Sequence, residues 1–224
     1  MPSSIEPRLI IFDMDGTLIA ERFVFQLARR FGFEDRLKAI MSRRAPEHEK
    51  TRDVASLLKG ISAQEITDTF DQIPLSPGAE RTIAALKKEG HVLAIISDSY
   101  TIATERLKKR LSFDYTIANK LVIKEGKATG EVEMPLDWSE GKKGCLRHAI
   151  CKLNAMFRLS RKTGIPLERT VAVGDNIADI CMLERASLGI AFNPKAPEVE
   201  RSADVIVKGD LEEILPIIRK QEKP

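Results

Sequence analysis

At 224 residues the chain is long enough to bury a full hydrophobic core with room for a sizeable insertion. Hydrophobic residues at 43% and charged residues at 31% give the balance of a soluble globular protein, and a formal charge of +3, with lysines and arginines spread rather than blocked, excludes a basic groove for nucleic acid. No apolar run approaches transmembrane length and no signal-peptide segment opens the chain, so a cytoplasmic protein without membrane or nucleic-acid partners is expected.

The first element is a short continuous apolar run, Leu9-Ile10-Ile11-Phe12, the pattern of a parallel strand buried on both faces. It stops abruptly in Asp13-Met14-Asp15-Gly16-Thr17. Two carboxylates one residue apart at the end of a buried strand are costly. At about 4 Å and an effective dielectric of about 20 they repel by roughly 4 kcal/mol unless a cation intervenes. A turn accounts for Gly16 and for one aspartate, but not for both.

From Glu21 the period becomes helical. Phe23, Leu27 and Phe31 form one stripe, Leu37, Ile40 and Met41 a second, and Val54, Leu57 and Leu58 a third. Ser62-Ala63-Gln64-Glu65 reads as a capping box ahead of Ile66, Phe70 and Ile73, and Pro74 and Pro77 close the segment. Residues 21–76 are therefore expected to form an all-helical unit inserted directly after the first strand, and its position makes it a cap over the Asp13 loop. Residues 1–20 and 77–224 form the remaining unit. An amphipathic helix through Ala79, Ile83 and Leu86 precedes a second buried strand, Val92–Ile96, which ends in Ser97-Asp98-Ser99. A helix to about Leu111 comes next, then a hairpin pairing Leu121–Ile123 with Gly130–Val132 around Lys124–Lys127. Lys142-Lys143 is expected to open a long helix carrying Leu146, Ile150, Leu153 and Phe157, ended by Gly164 and Pro166. Strands Thr170–Val173, Gly189–Phe192 and Val205–Val207 complete the chain, the first running into Gly174-Asp175-Asn176-Ile177-Ala178-Asp179. Cys145, Cys151 and Cys181 form no CxxC pair, and His48, His91 and His148 are too scattered for a zinc site.

Buried strands separated by helices imply an α/β fold with a parallel, Rossmann-like sheet. Right-handed crossovers then bring the carboxyl ends of its strands to one edge, where ligands bind. Asp13, Asp15, Ser97, Lys143, Asp175 and Asp179 can converge there.

The order Asp-x-Asp, Ser, Lys and Gly-Asp-x-x-x-Asp resembles the motif series of the haloacid dehalogenase (HAD) superfamily. Its phosphoserine-phosphatase-like branch is the most similar, through TVAVGD, KLVIKEGKATGEVE and LSPGAERTIAALKKEG. The resemblance implies a phosphomonoester hydrolase with a Rossmann-like core and a helical cap, acting on a small phosphorylated metabolite, phosphoserine among the candidates, with a homodimer as a candidate assembly. It implies Asp13 as the nucleophile that becomes an aspartyl-phosphate, Asp15 as the acid and base, Ser97 as a donor to phosphoryl oxygen and Lys143 as the fixed cation. Mg²⁺ is the implied cofactor, held by Asp13, the Asp15 carbonyl and Asp175, with Asp179 supporting the shell. Ser97 read alone is a helix N-cap, and Asp179 read alone is a helix-start acid. A phosphotransferase or mutase sharing the aspartyl-phosphate is the first alternative, and a phospho-ligand-binding module the second.

The substrate pocket departs from the branch. Where it carries a glutamate for an amino group, this chain has Arg22, with Glu21 one residue earlier; where it carries an arginine for a carboxylate, this chain has Val54, with Arg52 nearby. Asp98 and Ser99 stand where glycines are usual, and Asn176 and Ala178 lie in the last motif. Glu21, Arg22, Arg52, Asp98, Ser99 and Asn176 are the substrate-contact candidates, and Arg22 facing inward implies an anionic or polyhydroxylated leaving group.

Overall fold

The structure, a computed structural model, describes residues 6–135 and 151–221. Its organising strand is β1 (Leu9–Phe12), all four residues of which are buried. Because side chains alternate along a strand, Ile10 and Phe12 enter one apolar layer and Leu9 and Ile11 the other. This double burial is why the run reads as continuously apolar.

Helices α1 (Phe23–Phe31), α2 (Glu34–Ser42), α3 (Glu47–Ser56) and α4 (Ala63–Asp71) come after it, then α5 (Ala79–Lys88), β2 (Val92–Tyr100) and α6 (Thr101–Leu111). The chain continues through β3 (Tyr115–Lys124), β4 (Lys127–Glu133), α7 (Lys152–Thr163), β5 (Thr170–Gly174), α8 (Ile180–Leu183), β6 (Leu188–Phe192), α9 (Pro197–Arg201), β7 (Val205–Val207) and α10 (Ile214–Lys220). The seven strands form one sheet in the order β4-β3-β2-β1-β5-β6-β7, parallel except where β3 and β4 make the hairpin. The α/β fold expected from the strand–helix alternation is the fold observed.

Register fixes the site. Phe12 lies beside Ile95 of β2 and Val173 of β5, so the residues just beyond them come out level on one edge. The order reverses at β1, which is flanked by β2 on one side and the later β5 on the other, and this is the switch point where a crevice opens.

Between β1 and α5 the regular elements are the helices α1 to α4. Phe23 and Leu27 of α1 are fully buried, and Ile66 and Phe70 of α4 face them, with the Phe23 and Phe70 rings edge to face at 5.3 Å. The Ser62 hydroxyl accepts from the Glu65 N–H at 3.1 Å while the Glu65 carboxylate accepts from the Ser62 N–H, which closes the capping box. The connections at residues 18–20 and 74–76 run side by side, with Ala20 N–H donating to the Pro74 carbonyl and Ser76 N–H to that of Leu18, both at 3.0 Å. At the far end the β3–β4 hairpin meets the α3–α4 loop. The Ala128 and Ile61 backbones pair at 2.8 Å, as do the Gly60 N–H with the Ala128 carbonyl and the Ala63 N–H with that of Gly126.

Two expectations change. The strand after Val92 does not end at Ile96 but continues to Tyr100 with a register shift, so Ser97 sits inside β2 and is not the N-cap of α6, a place taken by Tyr100. The helix ended by Gly164 does not run unbroken from Lys142. Cys151 is extended (φ −78°, ψ 100°) and α7 starts at Lys152; residues 136–150, with Lys143, lie outside the described residues.

Candidate active site at the carboxyl edge of the sheet

Asp13 comes directly after β1, and its N–H donates to the Val173 carbonyl at 2.9 Å, which holds it between β1 and β5. The carboxylate is buried, and the ammonium group that meets it is that of Lys152. Lys152 Nζ, only 1% exposed, donates to Asp13 Oδ1 at 2.7 Å and to Asp179 Oδ1 at 2.5 Å. Asp179 is also fully buried. Its Oδ2 accepts the N–H groups of Asp175 at 3.0 Å and Asn176 at 2.9 Å, so both its oxygens are engaged. Asn176 in turn caps the short 3₁₀ turn Ile177–Asp179, its Oδ1 accepting from Ile177 N–H at 2.7 Å.

Two glycines make this packing feasible. A Cβ on Gly174 would lie 2.4 Å from Asp179 Cγ, so the sheet end must be bare there for Asp179 to fold back over it. Gly16 turns with φ +83°, and a Cβ there would lie 2.3 Å from Asp175 Oδ2.

Carboxylate oxygens of Asp13, Asp175 and Asp179 all lie within 4.8 Å of one another. Three buried carboxylates against one ammonium leave two negative charges uncompensated. Burial pushes Asp13 well above the ordinary carboxylate range; Lys152 draws it back, while Asp179, Asp175 and Asp98 act with burial. Burial works against the charge on Lys152, but Asp13 and Asp179 outweigh it and hold the ammonium protonated. Asp175 is pushed up to about 7, by burial first and then by Asp179. Among the described residues its Oδ1 is buried with no hydrogen-bond partner. Asp13 and Asp175 would hold a divalent cation, which would supply both the missing charge and the missing partner, and an all-oxygen donor set suits a hard ion. The residues fit the group.

Asp15 is half-buried beside this cluster. Its Oδ1 accepts the first N–H of α1, from Phe23, at 2.5 Å. Burial raises its pKa to about 6 against the opposing pull of the Phe23 N–H and Arg22. A carboxyl group in that range can give up a proton and take one back near neutrality. Ser97 is fully buried in β2, and its Oγ accepts from Ser99 N–H at 3.1 Å. The Asp98 carbonyl accepts from Asn119 Nδ2 at 2.7 Å, which ties the end of β2 to β3.

Over Asp15 lies a cavity whose walls include Arg22, Asp98, Ser99, Val54, Glu47 and Lys50. Glu21 is exposed and turned to Gln26 and Arg29, and Arg52 is exposed on α3; neither lines the cavity. Asn176 is likewise not on its wall. Lys152, Glu47 and Lys50 were not singled out by sequence reasoning. The signal for Lys152 was the excess length of the helix assigned from Lys143, and that for the other two was an acid–base pair at i, i+3.

The family model for haloacid dehalogenase-like hydrolases matches residues 10–184. The chain belongs to that family. Among HAD relatives, the phosphoserine phosphatase of Methanocaldococcus jannaschii is 37% identical over 217 residues, covering 95% of this chain and 98% of its own. That of Archaeoglobus fulgidus is 35% identical over 85% of this chain, which spans 54% of it. A substrate-bound phosphoserine phosphatase structure superposes with a TM-score of 0.81 at 35% identity, over 95% of this chain and 98% of that one. A HAD family hydrolase from Salmonella enterica serovar Typhi gives 0.85 at 29% identity, over 96% and 72%. Among the described residues no helix is long and apolar enough to cross a membrane.

Proposed function

We propose that the chain is a cytoplasmic, Mg²⁺-dependent phosphomonoester hydrolase that works through an aspartyl-phosphate on a small phosphorylated metabolite, phosphoserine being the first candidate. The observation that carries this reading is the pairing of two unlike carboxyl groups one residue apart. Asp13 is fixed by Lys152 in a charge-deficient cluster, and Asp15 stands outside that cluster with its pKa raised to about 6. Binding a phosphate needs only the first. The phosphoserine phosphatases among its relatives, one of them solved as an analogue of the phospho-aspartyl intermediate, support the same reading.

In the first step an Asp13 oxygen attacks phosphorus, the ester P–O bond breaks, and Asp15 gives its proton to the departing alkoxide. In the second, Asp15 takes a proton from a water that attacks the same phosphorus, releasing phosphate and restoring the Asp13 carboxylate. Lys152 holds Asp13 in place and offsets negative charge as it accumulates, and Ser97 supplies a hydroxyl donor at the same edge. The cation, held by Asp13 and Asp175, supplies charge neutralisation for the phosphoryl oxygens when bound. Residues 21–76 act as a cap that excludes water from the reacting groups.

Release of inorganic phosphate from a panel of phosphomonoesters, with Mg²⁺ and no acceptor alcohol, tests the proposal. Wild type should release phosphate and Asp13→Asn should not, although it folds. Phosphate release by Asp13→Asn above a small fraction of wild type sinks the covalent route, and turnover only with an added alcohol acceptor assigns a transferase instead.

A further inference from the structure

The cavity over Asp15 carries charges that the two-step hydrolysis does not use. Lys50 donates to Glu47 Oε1 at 2.9 Å, and this pair is lopsided, with the Lys50 side chain 15% exposed and that of Glu47 50% exposed. Arg22 differs. Its guanidinium lies over the Phe25 ring, 5.4 Å from the centroid, and among the described residues no carboxylate comes within ion-pair distance of it. Stacking on an aromatic face holds the guanidinium plane while leaving its donors available. Arg22 shares the wall of that cavity with Asp15. A planar fork without an acid partner, on the wall of a cavity beside the group that must protonate a leaving alkoxide, is matched by a planar anion on that leaving group.

Besides Asp15, the carboxylates on this wall are Glu47, whose Oε1 already accepts from Lys50, and Asp98. Asp98 is exposed, where an ion pair contributes little.

We propose that the leaving group of the substrate carries a carboxylate, that Arg22 receives it, and that an ammonium group on the same molecule is not required. This rests on the phosphatase reading above and narrows it to phosphorylated hydroxy-carboxylates, a class that includes phosphoserine. Arg22 is in this sense a specificity residue rather than a catalytic one.

The test compares kcat/KM for phosphoglycolate (carboxylate only), phosphoserine (carboxylate and ammonium), phosphoethanolamine (ammonium only) and p-nitrophenyl phosphate (neither). Both carboxylate esters should exceed phosphoethanolamine by about tenfold or more. Arg22→Gln should bring that ratio towards one, chiefly through KM, and Arg22→Lys should keep part of it. A ratio taken on one preparation is insensitive to the fraction folded, so a poorly folding variant still reports. Phosphoethanolamine turned over as well as phosphoglycolate, or a ratio unmoved by Arg22→Gln, overturns the inference while p-nitrophenyl phosphate hydrolysis upholds the phosphatase reading. No hydrolysis of any ester by wild type overturns both.

Discussion

Lys152→Met separates the contribution of one ammonium group from everything else at the site. Methionine keeps an unbranched side chain of similar bulk at the first position of α7, so the backbone is not perturbed, and only the charge and its hydrogen bonds are lost. Those bonds are the 2.7 Å contact to Asp13 and the 2.5 Å contact to Asp179, both to buried acids. Removing one partner of a buried pair costs about 3–5 kcal/mol, because the other charge is left uncompensated. For a domain of this size each kcal/mol is worth about 2–4 °C, so the melting midpoint should fall by roughly 6–20 °C in metal-free buffer. A saturating divalent cation should recover part of that fall, since it faces the same carboxylates. In catalysis the loss of a preorganised cation costs about 10²–10³ in kcat. The assay is a pair of thermal melts, with and without Mg²⁺, beside steady-state phosphate release. A variant with kcat within about threefold of wild type and an unshifted midpoint would refute the electrostatic argument. The same two losses in Lys143→Met, with Lys152→Met near wild type, would return the role to Lys143.

Gly174→Ala should move Asp179 off the end of β5, because the new methyl would occupy the place of its carboxylate. Overpacking costs about 1–3 kcal/mol, and circular dichroism melts together with at least a tenfold lower kcat should report it; a silent Gly174→Ala contradicts the close approach. Adding Mg²⁺ at about 100 times its Kd should stabilise the metal-free protein by about 2.7 kcal/mol, and Asp175→Asn should lose most of that gain, read as the shift in melting midpoint. Ser62→Ala removes a cap far from the edge of the sheet and should cost about 1 kcal/mol in denaturant unfolding. A loss of kcat in that variant at a temperature where it is folded would show that α4 is coupled to the chemistry.

Legibility in the sequence depends on how local the cause is. Leu9–Phe12 and Thr170–Val173 are readable as strands because both faces are buried, so every residue carries the signal. The Ser62–Glu65 cap is readable because its two hydrogen bonds close within one helical turn. Asp13, Asp175 and Asp179 come together by register alone: once the strands are parallel, Phe12 and Val173 lie side by side, and the loops leaving them must meet. Lys152 is not readable in this way. Its role depends on where α7 begins, and nothing near Cys151 in the sequence marks that start; among the described residues the helix has no side-chain N-cap hydrogen bond. The cavity wall is obscure for a related reason. Glu21 and Arg22 precede α1, Arg22 as its extended N-cap, so which of them faces inward is set by the backbone entering the helix and not by helical periodicity. The decisive fact is tertiary, since the Phe23 N–H binds Asp15 and so sets the azimuth of α1.

The contact between the β3–β4 hairpin and the α3–α4 loop bears on how a substrate gets in. The helical segment is tied to the sheet at its two covalent connections, and again at its far end by backbone bonds from Gly60, Ala63 and Ala128. A segment fastened at opposite ends is a bridge rather than a door. It cannot swing open as one piece unless those bonds break or the hairpin travels with it, and β3 is itself paired to β2, the strand that carries Ser97. Traffic through the cavity is thereby geared to the sheet edge where the phosphoryl group would sit.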